Sequence, residues 1–137
     1  MAVKPIKFLG YVQAGFPAPA SDYMDEGIDL NKELISHPAS TFFFKATGES
    51  MIGAHIPPGS ILVVDRSVRP RNNSIVLAVV DGEYTVKFYV QNHEGLALVP
   101  ANPKFKSIIV TEGMDFSIWG VVTSVIIKTS KYGIDQM

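Results

Sequence analysis

The stretch Ile75–Val80, Asp81-Gly82, Glu83–Val90 constrains the fold more than any other part of the 137-residue chain. Two apolar, β-branched segments flank a two-residue connection, and Asp-Gly supplies the positive-φ positions that a type I′ hairpin turn demands. Further strand candidates surround it. Thr41–Thr47 carries Phe42, Phe43 and Phe44, and Ser60–Asp65 follows the turn signal Pro57-Pro58-Gly59. Leu96–Val99 and Ser107–Thr111 are short, and Phe116–Lys128 is long, with a bend expected at Gly120. Gly48–Ala54 reads as a turn holding one helical turn. Short strands with regular turn signals predict a small, mostly β domain of partly closed, strongly bent sheets.

The first 27 residues differ from the rest. Pro5, Gly10, Gly15, Pro17, Pro19 and Gly27 disfavour both helix and central strand there. The expectation is an extended N-terminal arm over 1–27 and a β-rich domain over 28–137. Phe8, Leu9, Tyr11, Val12 and Phe16 on that arm gain by lying on a protein surface. Ile28–Ser36 reads as one short helix, with Asp29 as N-cap and Pro38 closing it.

Composition narrows the function. Apolar residues make up 47% and charged residues 18%, which is globular, and the net charge of −1 offers no basic excess for a phosphate backbone. Direct nucleic-acid binding is therefore not expected. The absence of cysteine removes disulfides, thiolate zinc sites and cysteine nucleophiles together. His37, His55 and His93 are scattered without metal spacing, and surface loops are their expected home; no metal or other cofactor is expected. Met1–Leu9 has Lys4 and Lys7 but no apolar h-region, so no signal peptide is expected, and the longest apolar candidate, Ile118–Ile127, is too short to span a bilayer. The expected setting is the cytoplasm, away from membranes.

Two residues carry the chemistry. Ser50, in Thr47-Gly48-Glu49-Ser50-Met51, stands at a glycine-marked break after an apolar run. Most such serines are ordinary turn residues. Lys87 stands in mid-strand, where alternation puts Thr85, Lys87 and Tyr89 on one face. The ordinary place for such a lysine is a solvent face. If that face borders a cleft instead, the ammonium needs a carboxylate or must give up its proton. A neutral lysine beside a serine hydroxyl is a general base beside a nucleophile. Backbone N–H groups around Glu49 and Ser50 are then candidates to hold an oxyanion. A Ser50–His–Asp65 triad is also conceivable, but nothing in the sequence selects it. Ala14-Gly15, two small residues in the arm, form a candidate peptide bond for such a site.

These residues resemble a known family. Val12-Gln13-Ala14-Gly15-Phe16-Pro17, Gly48-Glu49-Ser50-Met51 and Val80-Asp81-Gly82-Glu83-Tyr84-Thr85-Val86-Lys87 look like the cleavage, nucleophile and base motifs of UmuD proteins. UmuD proteins belong to the LexA-type self-cleaving Ser-Lys peptidases of the bacterial SOS response. Asp22–His37 and Trp119–Val122 extend the likeness over nearly the whole chain, and the 37-residue separation of Ser50 and Lys87 fits the family spacing. Some UmuD proteins have cysteine where Ala14 stands. LexA repressors carry a helix-turn-helix ahead of the peptidase; the short stretch before Ala14 here leads one to expect the polymerase-accessory branch.

The resemblance implies a homodimer, self-cleavage stimulated by RecA filaments on single-stranded DNA, and a shortened form that joins a UmuC-type translesion polymerase. Two other readings stay open at this point: a non-catalytic dimerisation or polymerase-binding module, and a signal-peptidase-like protease acting on other proteins.

Overall fold

The computed structural model describes Ile6–Lys7 and residues 27–132. Ala14 and Gly15, and most of the expected arm, lie outside the described residues. The chain divides into two compact units, Met1–Ser36 and His37–Met137.

In the first unit, β1 (Ile6–Lys7) pairs antiparallel with β2 (Gly27–Ile28), Ile6 opposite Ile28. Helix α1 (Leu30–Leu34) follows, and the Asp29 carboxylate accepts from the Asn31 N–H at 3.0 Å, as its N-cap role requires. The helix is shorter than the predicted Ile28–Ser36. Ile28 is taken up by pairing with β1, and Ile35 is already extended.

The second unit is one antiparallel sheet. Its strands are β3 (Thr41–Lys45), β4 (Ile61–Asp65), β5 (Ile75–Val80), β6 (Glu83–Asn92), β7 (Gly95–Val99), β8 (Ile108–Ile109) and β9 (Phe116–Ile126), in spatial order β3-β4-β9-β5-β6-β7-β8. The hairpin β5–β6 turns at Asp81-Gly82 with φ of 48° and 85°, the left-handed region a primed turn needs. The predicted strand Ser107–Thr111 shrinks to β8, which pairs with Ala97 and Leu98 of β7, and the Val110 N–H just beyond it donates to the Leu96 carbonyl at 3.0 Å.

The predicted bend in the last strand is built from bulges. The pairing of β5 with β9 runs Leu77–Gly120 and then Ala78–Ile118, so Trp119 is the extra residue. On the other side, Val63 faces Ser124 and Val64 faces Val122, leaving Thr123 extra. Bulges of this kind sharpen the local twist. Gly120 permits the close crossing: a Cβ there would stand 2.7 Å from Val64 Cγ1.

The result is a coiled sheet. In a flat sheet, β3 and β6 would lie four interstrand spacings apart, about 19 Å. The rings of Phe44 on β3 and Tyr84 on β6 are 5.7 Å apart. Trp119 fills the angle between them, at 5.0 Å from Phe44 and 6.3 Å from Tyr84. The sheet does not close, because β3 and β8 remain unpaired with each other. Coiling buries both faces of the middle strands. Leu77 joins one core cluster with Met51, Ile56, Leu62 and Val64, while its neighbours Val76 and Ala78 join a second with Leu98 and Val121. This is why Ile75–Val80 and Ile61–Val64 read as unbroken apolar runs. No helix among the described residues is long and apolar enough to cross a membrane.

Candidate active site

The coil leaves a cleft of about 340 Å³. Its walls are Phe44–Gly48 with Ser50 and Met51 on one side and Tyr84–Lys87 on the other, over a floor of Ile56, Leu62 and Leu77.

The serine comes from the connection after β3. Gly48, at φ 77°, makes the reversal that L-residues resist. Met51 is buried in the first core cluster and anchors the turn, and the short 3₁₀ turn Ile52–Ala54 carries the chain away. Ser50 thus stands between a permissive glycine and a buried methionine, with its hydroxyl in the cleft.

The lysine comes from β6, where Lys87 lies opposite the fully buried Val76. It is 8% exposed, so the ordinary expectation of a solvent-facing strand lysine does not hold. Coiling covers its face of the strand as well as the other. Lys87 Nζ stands 2.9 Å from Ser50 Oγ, 2.7 Å from Thr85 Oγ1 and 3.1 Å from the Val86 carbonyl oxygen. None of these partners is a carboxylate. Burial without a counter-charge pushes the ammonium below lysine's ordinary pKa. A neutral amine has two N–H donors and one lone pair. In that state Thr85 Oγ1 and the Val86 carbonyl would take the two donors, and the lone pair would be left for the Ser50 hydroxyl; the ammonium would instead donate to all three.

The support beneath Ser50 comes from a segment that no motif singles out. The Ala101 N–H donates to the Ser50 carbonyl at 2.8 Å, and the Gly53 N–H donates to the Ala101 carbonyl at 2.7 Å. Asn102 Nδ2 donates to the Glu49 carbonyl at 2.9 Å. Pro100-Ala101-Asn102-Pro103 reads only as turn punctuation, and no spacing links it to Ser50. Thr85 was more legible, since period-two alternation already places it on the face of Lys87.

The histidines form no triad with Ser50. His37 Nδ1 lies 2.6 Å from Asp65 Oδ2, and the hydroxyls on Asp65 belong to Ser40 and Ser67, at 3.1 and 2.7 Å from Oδ1. Burial pushes the Asp65 carboxyl up, but the bonds from Ser67, His37 and Ser40 outweigh it and hold it well below the usual carboxylate range. His37 is 54% exposed and fastens the start of the second unit to the end of β4. No cluster of three or more His, Cys, Asp or Glu among the described residues is arranged to hold a metal ion.

The peptidase S24-like family matches residues 7–123. Protein ImpA of Escherichia coli is 44% identical over 128 residues, covering 93% of this chain and 86% of its own. Protein MucA of Salmonella typhimurium is 35% identical over 122 residues, covering 88% and 83%. LexA repressor 1 of Geobacter sulfurreducens is 34% identical over 117 residues, covering 85% of this chain and 57% of the repressor. The UmuD-type resemblance read from the three motifs is thus carried by most of the chain, and the chain belongs to the peptidase S24-like family of serine peptidases, with LexA repressors among its relatives.

Proposed function

We propose that the protein is a self-cleaving peptidase of the UmuD type that cuts its own Ala14–Gly15 bond, with Ser50 as nucleophile and Lys87 as general base. The observation that carries this reading is the 2.9 Å contact between Ser50 Oγ and Lys87 Nζ inside a cleft.

The arm lays Ala14-Gly15 across the cleft. The Lys87 amine takes the Ser50 proton as Oγ bonds to the Ala14 carbonyl carbon. The carbonyl oxygen becomes an oxyanion, held by the backbone N–H groups of Glu49 and Ser50. The Lys87 ammonium returns the proton to the Gly15 nitrogen as the C–N bond breaks. Water, deprotonated by the same amine, then releases Ala14 from Ser50. Alanine puts little bulk beside the attacked carbon, and Gly15 lets the backbone approach closely. Because the substrate is tethered to the enzyme, the rate follows the population of the docked arm, whether it folds back on its own chain or reaches to a partner subunit, and an activator needs only to raise it.

The relatives support the biological frame. In that frame the protein is a cytoplasmic homodimer, RecA on single-stranded DNA stimulates the cut, and the shortened form serves a UmuC-type polymerase in SOS mutagenesis. Intact-mass spectrometry of the purified chain tests the reading, at neutral and alkaline pH, with and without RecA, an ATP analogue and single-stranded DNA. A product beginning at Gly15 that Ser50→Ala never yields is the expected result. An intact chain under every condition would leave a non-catalytic binding module.

A further inference from the structure

The residues holding the nucleophile turn from below do more than fill space. Asn102 is 6% exposed, and both ends of its amide are used: Nδ2 donates to the Glu49 carbonyl at 2.9 Å, while Oδ1 accepts from the Lys104 N–H at 3.0 Å. The Phe105 N–H donates to its carbonyl at 3.0 Å. Asn102 is thus fixed by its own turn before it reaches the nucleophile turn. Next to it, Ala101 donates to the Ser50 carbonyl and accepts from the Gly53 N–H. The approach is close enough that a Cβ at Gly53 would stand 2.4 Å from the Ala101 oxygen.

This arrangement has a directional consequence. In a trans peptide the carbonyl and the following N–H point in opposite directions. Pulling the Glu49 carbonyl down onto Asn102 turns the Ser50 N–H the other way. That N–H has no protein acceptor among the described residues. It is also one of the two donors assigned above to the oxyanion. A buried side-chain amide held at both ends is a rigid support for such a donor, and rigidity is what makes a preorganised donor effective.

We infer that Asn102 is a positioning residue of the active site, orienting the Glu49–Ser50 peptide so that its N–H meets the oxyanion formed at Ser50. The inference rests on the Ser50–Lys87 reading and adds a residue to it. Asn102 touches neither the substrate nor the reacting atoms; it acts through the peptide it holds.

The test uses the full chain and a fluorophosphonate probe. Ser50 Oγ attacks phosphorus, fluoride leaves, and the proton passes to Lys87, so labelling reads the nucleophile and its oxyanion donors without needing the arm. Asn102→Asp keeps the acceptor for Lys104 and loses the donor to Glu49; Asn102→Ala loses both without adding charge. Labelling and self-cleavage are measured across pH, below each variant's melting temperature. Both rates are expected to fall about tenfold to a hundredfold in each variant. The alkaline midpoint of Asn102→Ala should stay where the wild-type chain has it, because Lys87 keeps its partners. A purely structural role would lower the melting temperature and leave the labelling rate of the folded protein unchanged. Wild-type labelling rates in whichever variant folds would overturn the inference and leave the dyad standing. A wild-type chain that neither takes up label at Ser50 nor cuts itself would overturn the dyad, and this inference with it.

Discussion

Lys87 Nζ and Ser50 Oγ stand 2.9 Å apart, although 37 residues separate them in the chain. If this contact is the reacting pair, its two halves fail together. Ser50→Ala and Lys87→Ala should each lower self-cleavage by more than about 10³-fold, and the double variant should be no worse, because residues acting as a unit are not additive. Mass spectrometry of the incubated chains reads this directly. Normal cutting by Lys87→Ala would remove the base from the mechanism.

The burial of Lys87 predicts a pH profile. Its pKa lies below lysine's ordinary value, so unassisted cleavage should climb with pH through that lowered pKa and level off above it. A rate flat across alkaline pH, with the fold intact and docking not limiting, would argue against Lys87.

The same burial carries a stability cost with a definite sign. The unfolded chain keeps the lysine proton up to about pH 10.4, whereas folded Lys87 releases it earlier. Between those limits the unfolded state binds more protons, so stability rises with pH. Below them the cost is present in full. Lys87→Met should therefore melt at a higher temperature than wild type at pH 7, with the gap narrowing as pH approaches 10. Calorimetry at the two pH values checks both parts.

Asp65 works in the opposite sense. Its carboxylate accepts from Ser40, from both the hydroxyl and the N–H of Ser67, and pairs with His37. Its pKa is lowered, so its contribution is complete above about pH 4 and is lost as pH falls further. Asp65→Asn cannot accept all of these bonds and should cost about 2–3 kcal/mol at pH 7, read from urea unfolding. The penalty should shrink in acid. A neutral result would mean that the His37 attachment carries little of the second unit's stability.

Gly120 tests the bend. A methyl group there meets Val64 Cγ1 at 2.7 Å and the Asp65 carbonyl oxygen at 3.3 Å. Val64 is fully buried and has no room to yield. Gly120→Ala should cost about 1–3 kcal/mol. An unchanged midpoint of unfolding would show that the crossing relaxes more easily than its packing implies.

The strands were legible because their signals are local. Asp81-Gly82 names its turn, and the apolar runs of β4 and β5 name strands covered on both faces. The helix after Asp29 was legible at its cap but not at its length, because pairing of Ile28 with Ile6 is a long-range matter. The site was legible only in part. Ser50 and Lys87 are named by their motifs, yet the burial of Lys87 depends on coiling, and strand periodicity taken alone pointed to solvent. Asn102 was invisible for a stronger reason: its role comes from lying under Glu49, 53 residues away in the chain, and an asparagine before proline looks like any turn. A histidine and Asp65 were brought together only as members of a conceivable triad with Ser50, and nothing short of the fold could pair His37 with Asp65 away from that serine.

The place of β9 in the sheet bears on when the chemistry becomes available. This strand, the last in chain order among the described residues, lies between β4 and β5 and joins the part of the sheet nearest Ser50 to the part that carries Lys87. A chain still on the ribosome has both Ser50 and Lys87 in hand before it has the strand that unites their parts of the sheet. Its two halves cannot roll up against each other until Phe116–Ile126 has emerged. If Ser50 and Lys87 are the reacting pair, the order of synthesis acts as a safety catch: a chain that stops short of β9 holds both residues and lacks the strand that brings them together.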